Sequence, residues 1–403
     1  MNHQDILEVS PSVKWIGVLD YDIVTFDVVM TTEYGSTYNS YFIDADKKVI
    51  VDTTKEAFWE TYEKKIRAVV DPAEIDYIIL NHTEPDHSGN LINLLKIAPR
   101  AKVVATATGL KYLSDIFEDE FESIAVKNGD VLDLGDKKLH FISAPNLHWP
   151  DTMYTYLEDE KVLFSCDSFG CHFADARMFD DEVDDFNVAF RYYFDVIIKP
   201  FSRFMLMALE KIDRLEIDTI CTGHGPILRK NMKQMVELTR LWAEKFVVNP
   251  HKNKIFIPYV SAYRNTGEIA EEIARGILST GNTEVEMMDI EHAHLGELEV
   301  KLTQSNALII GSPTINQNIL LPIYRLFSVI NPYRDHRKLA GAFGSYGWSG
   351  ENRQILELNL KALKFNFFGE GLFIKFSLSD EEKSKAFEYG LNFARELQKL
   401  NNV

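Results

Sequence analysis

The segment NHTEPDHSG (81–89) places four potential metal-ligating side chains within six residues, namely His82, Glu84, Asp86 and His87. An apolar run, EIDYIIL, comes just before it and predicts a buried strand. Loops at the carboxyl ends of strands often carry chemistry, because the sheet fixes their geometry. Imidazole and carboxylate groups in this position indicate a metal site.

Three more predicted strand ends carry the same kinds of side chain: His148 in APNLHWPD, Asp167 in LFSCDSFG and His224 in CTGHGP. Taken alone, any one of them is more readily explained as a hydrogen-bonded polar residue or a helix cap. Asp86, for example, could cap a helix that begins near Asn90. Seven such groups that converge without a cation would be costly to bury. We therefore predict that they share one metal centre.

The chain has two parts with different patterns. In the first, strands are closely followed by the loops that carry these residues. The polar, proline-containing segment VVNPHKNK then marks a boundary, and we predict domains at 1–249 and 250–403. The second part alternates strands with helices and predicts a small doubly wound sheet. Its predicted strands are 254–260, 284–290, 306–313, 338–345 and 371–376.

Three loops of the second part are rich in hydroxyl, amide and glycine groups: SAYRNTG (261–267), GSPTINQ (311–317) and GSYGWSG (344–350). In a sheet of strand order 2-1-3-4-5, ligands bind at the switch point between strands 1 and 3. Backbone N–H groups at a helix N-terminus can bind a phosphate, although Ser and Thr before a helix are also ordinary caps. These loops together indicate a ligand site.

Composition excludes several classes of function. The chain has 403 residues and a formal net charge of −18, which argues against non-specific binding to nucleic acid or to anionic membranes. No segment approaches the ~18 consecutive apolar residues of a membrane helix, and the first residues lack the parts of a signal peptide. We therefore expect a cytoplasmic protein. Cys166, Cys171 and Cys221 have no CxxC spacing, so we expect reduced thiols.

The metal-site residues resemble the metallo-β-lactamase superfamily, whose signature is HxHxDH followed by a distant His, Asp and His. Here Glu84 stands at the position of the second histidine. A carboxylate in place of a neutral imidazole makes the site harder and more anionic, which suits iron that cycles between ferrous and ferric states. HxExDH with downstream His, Asp and His is the pattern of flavodiiron proteins. That resemblance implies an N-terminal metallo-β-lactamase-like αββα sandwich, followed by a flavodoxin-like, five-stranded, doubly wound parallel sheet.

The same resemblance implies a set of ligands for two iron ions. One iron would be held by His82, Glu84 and His148, and the other by Asp86, His87 and His224, with Asp167 as the bridge. In some members of the family the histidine that matches His87 is replaced by water, so its ligation is left open.

The three loops of the second part resemble the FMN site of flavodoxins, and GSPTIN is typical of flavodiiron proteins. Tyr346 or Trp348 could cover the isoalloxazine ring. The FMN-binding residues that the resemblance implies are Ser261, Tyr263, Arg264, Asn265, Thr266, Ser312, Pro313, Thr314, Ile315, Asn316, Ser345, Tyr346, Gly347, Trp348, Ser349 and Gly350. Many members have Gly where this chain has Arg264.

As a flavodiiron protein, the chain would reduce O₂ to water, NO to N₂O, or both, at a diiron centre supplied with electrons by FMN. His172 and Tyr193 would be polar neighbours of the open iron positions. No rubredoxin domain is appended, so electrons would come from a separate rubredoxin, a flavin reductase or the reduced deazaflavin coenzyme F420. A head-to-tail homodimer, or a dimer of such dimers, is also implied.

Two other functions stay open on the sequence. A zinc-dependent metallo-hydrolase fused to a flavodoxin domain would use the same loops, although Glu84 argues against it. A non-catalytic redox carrier or sensor would keep the first part only as a scaffold, although the complete ligand set argues against that.

Overall fold

The computed structural model describes residues 6–26, 30–248 and 253–401. The chain folds as two compact units, residues 1–247 and 248–403. The predicted boundary between residues 249 and 250 lies outside the described residues.

The first unit is built mainly from strands. In chain order they are β1 (Leu7–Glu8), β2 (Val13–Trp15), β3 (Val18–Asp20), β4 (Thr25–Phe26), β5 (Met30–Thr31), β6 (Ser36–Tyr38), β7 (Tyr41–Ile43), β8 (Lys48–Val51), β9 (Ile75–Ile79), β10 (Lys102–Thr106), β11 (Ser123–Val126), β12 (Val131–Asp133), β13 (Lys138–Ser143), β14 (Met153–Leu157), β15 (Val162–Cys166) and β16 (Thr219–Thr222). Its helices are α1 (Trp59–Val69), α2 (Pro85–Ser88), α3 (Leu91–Ile97), α4 (Ala107–Ile116), α5 (Asn187–Tyr193), α6 (Ser202–Ile212) and α7 (Met232–Val248).

Two sheets face each other in this unit. One has the strand order β1-β2-β7-β8-β9-β10-β11 and the other β12-β13-β14-β15-β16, with two small ribbons, β3–β6 and β4–β5, beside them. The pairs β8–β9, β9–β10, β10–β11 and β15–β16 are parallel. Parallel strands that are buried on both faces have continuous apolar sequences. This explains the apolar run in β9.

Apolar packing gives this unit four layers. Val49 of the larger sheet and Phe141 of the smaller one belong to the core between the sheets. On the outer face of the larger sheet, α1 packs with Ile66 and α3 with Leu94. On the outer face of the smaller sheet, α6 packs with Leu209, and α5 and α7 add to the same core. The predicted αββα sandwich is confirmed.

The second unit contains the strands β17 (Lys254–Tyr259), β18 (Glu284–Asp289), β19 (Ala307–Gly311), β20 (Leu339–Tyr346), β21 (Asn366–Phe367) and β22 (Leu372–Lys375). Its helices are α8 (Asn265–Leu278), α9 (Leu295–Gln304), α10 (Leu321–Ser328), α11 (Pro332–Asp335), α12 (Glu351–Ala362) and α13 (Asp380–Asn401). The strand order is β18-β17-β19-β20-β21, and β22 also pairs with β20; these pairings are parallel. The predicted flavodoxin-like order is confirmed.

One detail of this sheet differs from the prediction. The edge beside β20 is formed by two short strands, β21 and β22, where the sequence predicted a single strand at 371–376. Between them Gly369 has a φ of +52°. A residue in the left-handed region cannot continue a strand, so the edge is interrupted at this point.

Helices cover both faces of the second sheet. The helices α9, α10 and α12 pack on one face and α8 and α13 on the other. The α8–α13 contact needs glycine on both helices, because a Cβ at Gly276 would lie 2.0 Å from the carbonyl oxygen of Phe387, and one at Gly390 would lie 2.0 Å from that of Ile273. Within the described part of the chain, no helix combines the length and apolar character that crossing a membrane requires.

A buried ion cluster joins α9 and α11 to the start of β20. Asp335 is fully buried; its carboxylate lies 2.6 Å from Arg334 and 2.8 Å from Lys338. Arg334 also pairs with Glu299 at 3.1 Å, and Lys338 donates to the carbonyl oxygen of Leu302. Burial raises the pKa of Asp335, but Lys338 and Arg334 outweigh it and hold the pKa below its ordinary value. Asp335 is therefore ionised and well paired.

We expect Asp335→Ala to lower the free energy of unfolding of the second unit by about 3–5 kcal/mol, because it leaves buried cations without their partner. Glu370→Ala is the matched control, since Glu370 is exposed and lies 3.7 Å from Arg353. The control should change stability by less than about 1 kcal/mol. Urea denaturation, with hydrogen exchange of β20 amides to locate the transition, measures both. Equal effects of the two variants would contradict this assignment.

The same carboxylate predicts a pH dependence. Because the folded-state pKa of Asp335 is depressed, its contribution to stability is present above the unfolded-state pKa of about 3.9 and is lost as the pH falls toward the folded-state pKa. We expect stability to fall more steeply below about pH 4 in the wild type than in Asp335→Asn. Urea midpoints at several acidic pH values test this. Parallel pH profiles would refute it.

Candidate metal centre

The opening cluster sits where β9 ends and a short helix begins. Glu84 is the N-cap of α2, and Pro85 is its first residue, a position that suits the fixed φ of proline. The helix α2 then carries Asp86 and His87, while His82 lies on the preceding loop. The turn of backbone between loop and helix divides the cluster into two groups that face different partners.

The remaining three candidate ligands come from the smaller sheet. His148 lies in the loop between β13 and β14, Asp167 directly follows β15, and His224 follows β16. The pairing of β15 with β16 shifts register between Phe164 and Cys166. Such a bulge re-aims the side chains beside it. The last residues of β15 and β16 thereby bring Asp167 and His224 to one end of the sandwich.

The first ligand group consists of His82, Glu84, His148 and one oxygen of Asp167. The Nε2 atoms of His82 and His148 lie 3.1 and 3.0 Å from Oε2 of Glu84. Both Nε2 atoms lie 3.6 Å from Oδ2 of Asp167. Ligand atoms about 2.0–2.2 Å from one metal ion lie about 2.8–3.6 Å from one another. The spacing fits a single ion.

The second ligand group consists of Asp86, His87, His224 and the other oxygen of Asp167. Nε2 of His224 lies 3.1 Å from Oδ2 of Asp86, and Nε2 of His87 lies 3.4 Å from the same atom. Oδ1 of Asp167 lies 3.1 Å from His87 and 3.4 Å from His224. The two oxygens of Asp167 therefore face different groups, which is the arrangement of a bridging carboxylate.

Several of these atoms have no hydrogen bond within the described part of the chain. They are both carboxylate oxygens of Asp86, both of Asp167, and Nε2 of His87, all of them buried. Burial raises the pKa of Asp167, but His87, His82 and His148 outweigh it and hold the pKa well below its ordinary value. Buried carboxylate oxygens without hydrogen bonds need compensating positive charge, which bound cations supply. The donor set therefore fits two metal ions.

The imidazoles respond to the same charges. Burial lowers the pKa of His87, but the carboxylates of Asp86 and Asp167 outweigh burial and raise the pKa to about 10. Protons on the rings would partly balance the carboxylates in the absence of metal. Metal binding must displace such protons, because a ligating nitrogen is deprotonated.

Two buried groups that sequence reasoning missed orient the ligands. Asp151 lies 3.3 Å from Nδ1 of His82 and accepts hydrogen bonds from the backbone N–H and hydroxyl of Thr83. Nδ1 of His224 donates to the carbonyl oxygen of Thr37 at 2.6 Å. A hydrogen bond at Nδ1 leaves Nε2 for the metal. The buried polar run of β6, which contains Thr37, was the available signal for the second contact.

His172 and Tyr193 lie beside the second ligand group. The ring of His172 lies 5.0 Å from that of His224, 5.1 Å from that of Tyr193 and 4.4 Å from that of Phe26. Its Nδ1 lies 2.8 Å from the hydroxyl of Ser36, while its Nε2 is buried without a hydrogen bond in the described part of the chain. The structure thus places both predicted pocket residues next to the cluster.

The second unit holds a cavity of about 630 Å³ at the carboxyl ends of its strands. The predicted residues that line it are Tyr263, Asn265, Thr266, Pro313, Thr314, Ile315, Asn316, Ser345, Tyr346, Gly347, Trp348 and Ser349. The predicted residues outside this lining are Ser261, Arg264, Ser312 and Gly350. The lining also contains Ala262, Gln317 and Phe376, which the sequence did not single out.

Residues behind the cavity hold its loops in place. The hydroxyl of Ser261 accepts a hydrogen bond from the backbone N–H of Gly267 at 3.0 Å, so it fixes the first turn of α8. The amide of Asn352 donates to the carbonyl oxygens of Ser312 and Ser345. One side chain thereby joins the loops after β19 and β20. Asn352 was missed because it lies beyond the loop motifs, on α12.

Comparison with known proteins gives the family. The family model described as "ODP family beta lactamase" matches residues 37–225, and the flavodoxin family model matches residues 257–390. A flavo-diiron protein from Clostridium acetobutylicum is 39% identical over 397 residues, which are 97% of this chain and 99% of that protein. The chain belongs to the flavodiiron protein family.

Other flavodiiron relatives agree along the whole chain. A nitric oxide reductase from Moorella thermoacetica is 33% identical over 96% of this chain and 97% of its own length. The solved structure of rubredoxin oxygen:oxidoreductase from Desulfovibrio gigas has a TM-score of 0.74 at 28% identity, covering 99% of this chain and all of that one. The flavodiiron protein from Giardia intestinalis has a TM-score of 0.71 at 28% identity, covering 100% of this chain and 99% of that one. This flavodiiron protein therefore carries FMN and a diiron centre.

We expect Asp151→Asn to weaken iron binding by about 10–100-fold, because the carboxylate that orients His82 and raises its basicity is lost. Asp184→Asn is the control, since that carboxylate is exposed and pairs only loosely with Arg177 at 3.3 Å. Competition for Fe²⁺ with a coloured chelator measures both affinities. An unchanged affinity in Asp151→Asn would show that the hydrogen bond has no role in metal retention.

Proposed function

We propose that this flavodiiron oxidoreductase reduces O₂ to water, NO to N₂O, or both. The observation that carries the proposal is the division of Asp167 between two ligand groups, with Oδ2 toward His82 and His148 and Oδ1 toward His87 and His224. A bridging carboxylate holds two metal ions a few ångströms apart, as two-metal sites require. The names of the relatives, which include an oxygen oxidoreductase and a nitric oxide reductase, support the choice of gases.

The proposed ligands follow the geometry. One iron would take His82, Glu84 and His148, the other would take Asp86, His87 and His224, and Asp167 would bridge them. FMN would occupy the cavity of the second unit, with its phosphate at the N-terminus of α8 near Asn265 and Thr266. The residues proposed to bind it are the twelve predicted ones that line this cavity, together with Ala262, Gln317 and Phe376 of the same lining. The other four predicted residues, Ser261, Arg264, Ser312 and Gly350, lie outside the lining and would act through the loops.

The electron count explains why one chain would carry both cofactors. Reduction of O₂ to two waters takes four electrons and four protons, and reduction of two NO to N₂O and water takes two of each. When bound, the reduced iron pair supplies the gas-binding site and two electrons, and reduced FMN supplies two more. The protein must therefore supply protons to a buried site.

His172 is the residue proposed to donate a hydrogen bond to the reacting gas at this site. The hydroxyl of Ser36 can donate to Nδ1, so a neutral ring carries its own proton on Nε2, the nitrogen without a hydrogen bond. Burial, followed by the charge of His224, holds the pKa of His172 well below its ordinary value. A neutral ring can donate a hydrogen bond without adding charge to the site. Tyr193, which is buried against His172, would donate through its hydroxyl.

The electron donor and the assembly are proposed from the family alone. A rubredoxin, a flavin reductase or reduced coenzyme F420 would deliver electrons to FMN, and a head-to-tail homodimer or dimer of dimers would be the working form in the cytoplasm. The name of the Desulfovibrio gigas relative supports the first donor.

Rapid mixing tests the function. The full chain, loaded with iron and FMN and reduced without oxygen, should reoxidise quickly with O₂ at four electrons per molecule, or yield one N₂O for every two NO. Slow reoxidation without N₂O would favour the redox carrier. Two zinc ions per chain together with hydrolytic turnover would favour the metallo-hydrolase. Turnover with each gas under one electron donor ranks the two substrates.

We expect His172→Ala to lower turnover by about a hundredfold or more, the size of the loss of one hydrogen-bond donor to developing charge, while two iron ions per chain are retained. His140→Ala is the control, because His140 is a partly exposed histidine that pairs with Glu158 at 2.9 Å. Iron analysis and steady-state gas consumption distinguish lost chemistry from lost metal. Unchanged turnover in His172→Ala would eliminate the proposed role.

A further inference from the structure

The four ligand histidines face the carboxylates in the same way but are held from behind by different groups. Each turns Nε2 toward a carboxylate oxygen of the cluster. On the opposite ring nitrogen, His82 has the carboxylate of Asp151, and His224 has a backbone carbonyl oxygen at 2.6 Å. The Nδ1 atom of His87 has instead the Sγ atom of Cys166, at 3.7 Å. One ligand is therefore held by a thiol.

These partners differ in strength. A carboxylate is a charged acceptor and a carbonyl oxygen is a strong neutral one, whereas a thiol sulfur is a weak acceptor. The partner of the remote nitrogen fixes the ring and raises the basicity of the ligating nitrogen. His87 should therefore be the least firmly oriented of the three rings that have such a partner.

The backbone places the sulfur behind the ring. Cys166 has a φ of +48°, and its carbonyl oxygen accepts a 2.6 Å hydrogen bond from the N–H of Gly223. A Cβ on Gly223 would lie 2.8 Å from Cε1 of His87. The ring of His87 is thus confined by Cys166 and Gly223 and is fully buried.

The sulfur lies on the side of the ring remote from the ligand group. It contacts Nδ1, while Nε2 is the atom that lies 3.1 Å from Asp167 and 3.4 Å from Asp86. Cys166 is therefore placed to orient a ligand, and the geometry does not favour it as a ligand itself.

We propose that Cys166 is the positioning residue of His87, and that its weak sulfur contact limits how firmly the metal position of Asp86, His87 and His224 is held. This proposal rests on the ligand assignment of the proposed function. It makes the affinity of one iron position depend on a side chain that lies behind a ligand. It also addresses whether His87 ligates. The ring of His87 lies within the ligand group, and how firmly it would bind the metal ion depends on Cys166.

The left-handed backbone at Cys166 allows a sharp test. Asn tolerates a positive φ better than most residues, and its side-chain carbonyl is a stronger acceptor than sulfur. Cys166→Asn should therefore tighten the position, while Cys166→Ala, which leaves Nδ1 without the sulfur, should loosen it. Cys221→Ala is the matched control, because Cys221 is an equally buried cysteine, 1% exposed like Cys166.

The experiment follows iron release from the full, iron-loaded chain to a coloured chelator. In Cys166→Ala the release of one iron per chain should accelerate by about tenfold or more, with the release of the other iron unchanged, and in Cys166→Asn the same iron should be released more slowly than in the wild type. The Mössbauer spectrum of the reduced protein should change in one of its two iron signals only.

Each other result overturns the proposal in a recognisable way. If Cys166→Ala behaves like Cys221→Ala, or if the release of both iron ions changes equally, Cys166 has no specific role at His87. If the wild type shows a thiolate-to-iron absorption band that Cys166→Ala lacks, Cys166 is a ligand and not a positioning residue. If the wild type holds fewer than two iron ions, the ligand assignment fails, and this proposal fails with it.

Discussion

The site depends on one physical constraint, which is the burial of carboxylate oxygens that form no hydrogen bond within the described part of the chain. Asp167 is 1% exposed, and neither of its oxygens forms a hydrogen bond within the described part of the chain. Both carboxylate oxygens of Asp86 are likewise buried and form no hydrogen bond among the described residues. An isolated buried carboxylate would cost several kcal/mol or would take up a proton. The two sheets bring these carboxylates together at a point where bound cations would balance their charge.

The two sheets of the sandwich position the loops that carry the buried carboxylates. The larger sheet supplies the loop after β9, and the smaller sheet supplies the residues that follow β15 and β16. Asn39 holds the two sheets in register at this end, since its amide donates to the carbonyl oxygens of Thr222 and Gly225, on either side of His224. Trp15 donates in turn to the side chain of Asn39. The apolar core between the sheets thus fixes the ligands through backbone contacts.

Much of this could be predicted from the sequence, because strand periodicity and ligand types are local signals. The doubly wound sheet of the second part followed from the alternation of strands and helices, whereas the αββα sandwich followed only from the family resemblance that the site residues carry. The seven candidate ligands were noticed by their types and by their positions at strand ends. The groups that contact the remote ring nitrogens of the candidate ligands could not be predicted. Asp151 lies 69 residues from His82, and the contact of Thr37 with His224 uses a backbone carbonyl that any residue has. The position of the Cys166 side chain depends on a β-bulge, and no pattern of residue types predicts that bulge.

Glu84 connects the charge of the cluster to the choice of metal. With neutral imidazoles, the ligand set contains three carboxylates, Glu84, Asp86 and Asp167. Two divalent ions would leave one net positive charge, and a histidine at position 84 would leave two. Burial raises the pKa of Glu84, but His148 and His82 outweigh it and hold the pKa below its ordinary value, so the charge is present. The lower net charge favours the oxidised state of a metal that can change valence. Glu84 therefore stabilises the oxidised state of a redox-active metal pair. It offers no such stabilisation to two zinc ions, because zinc has no second valence.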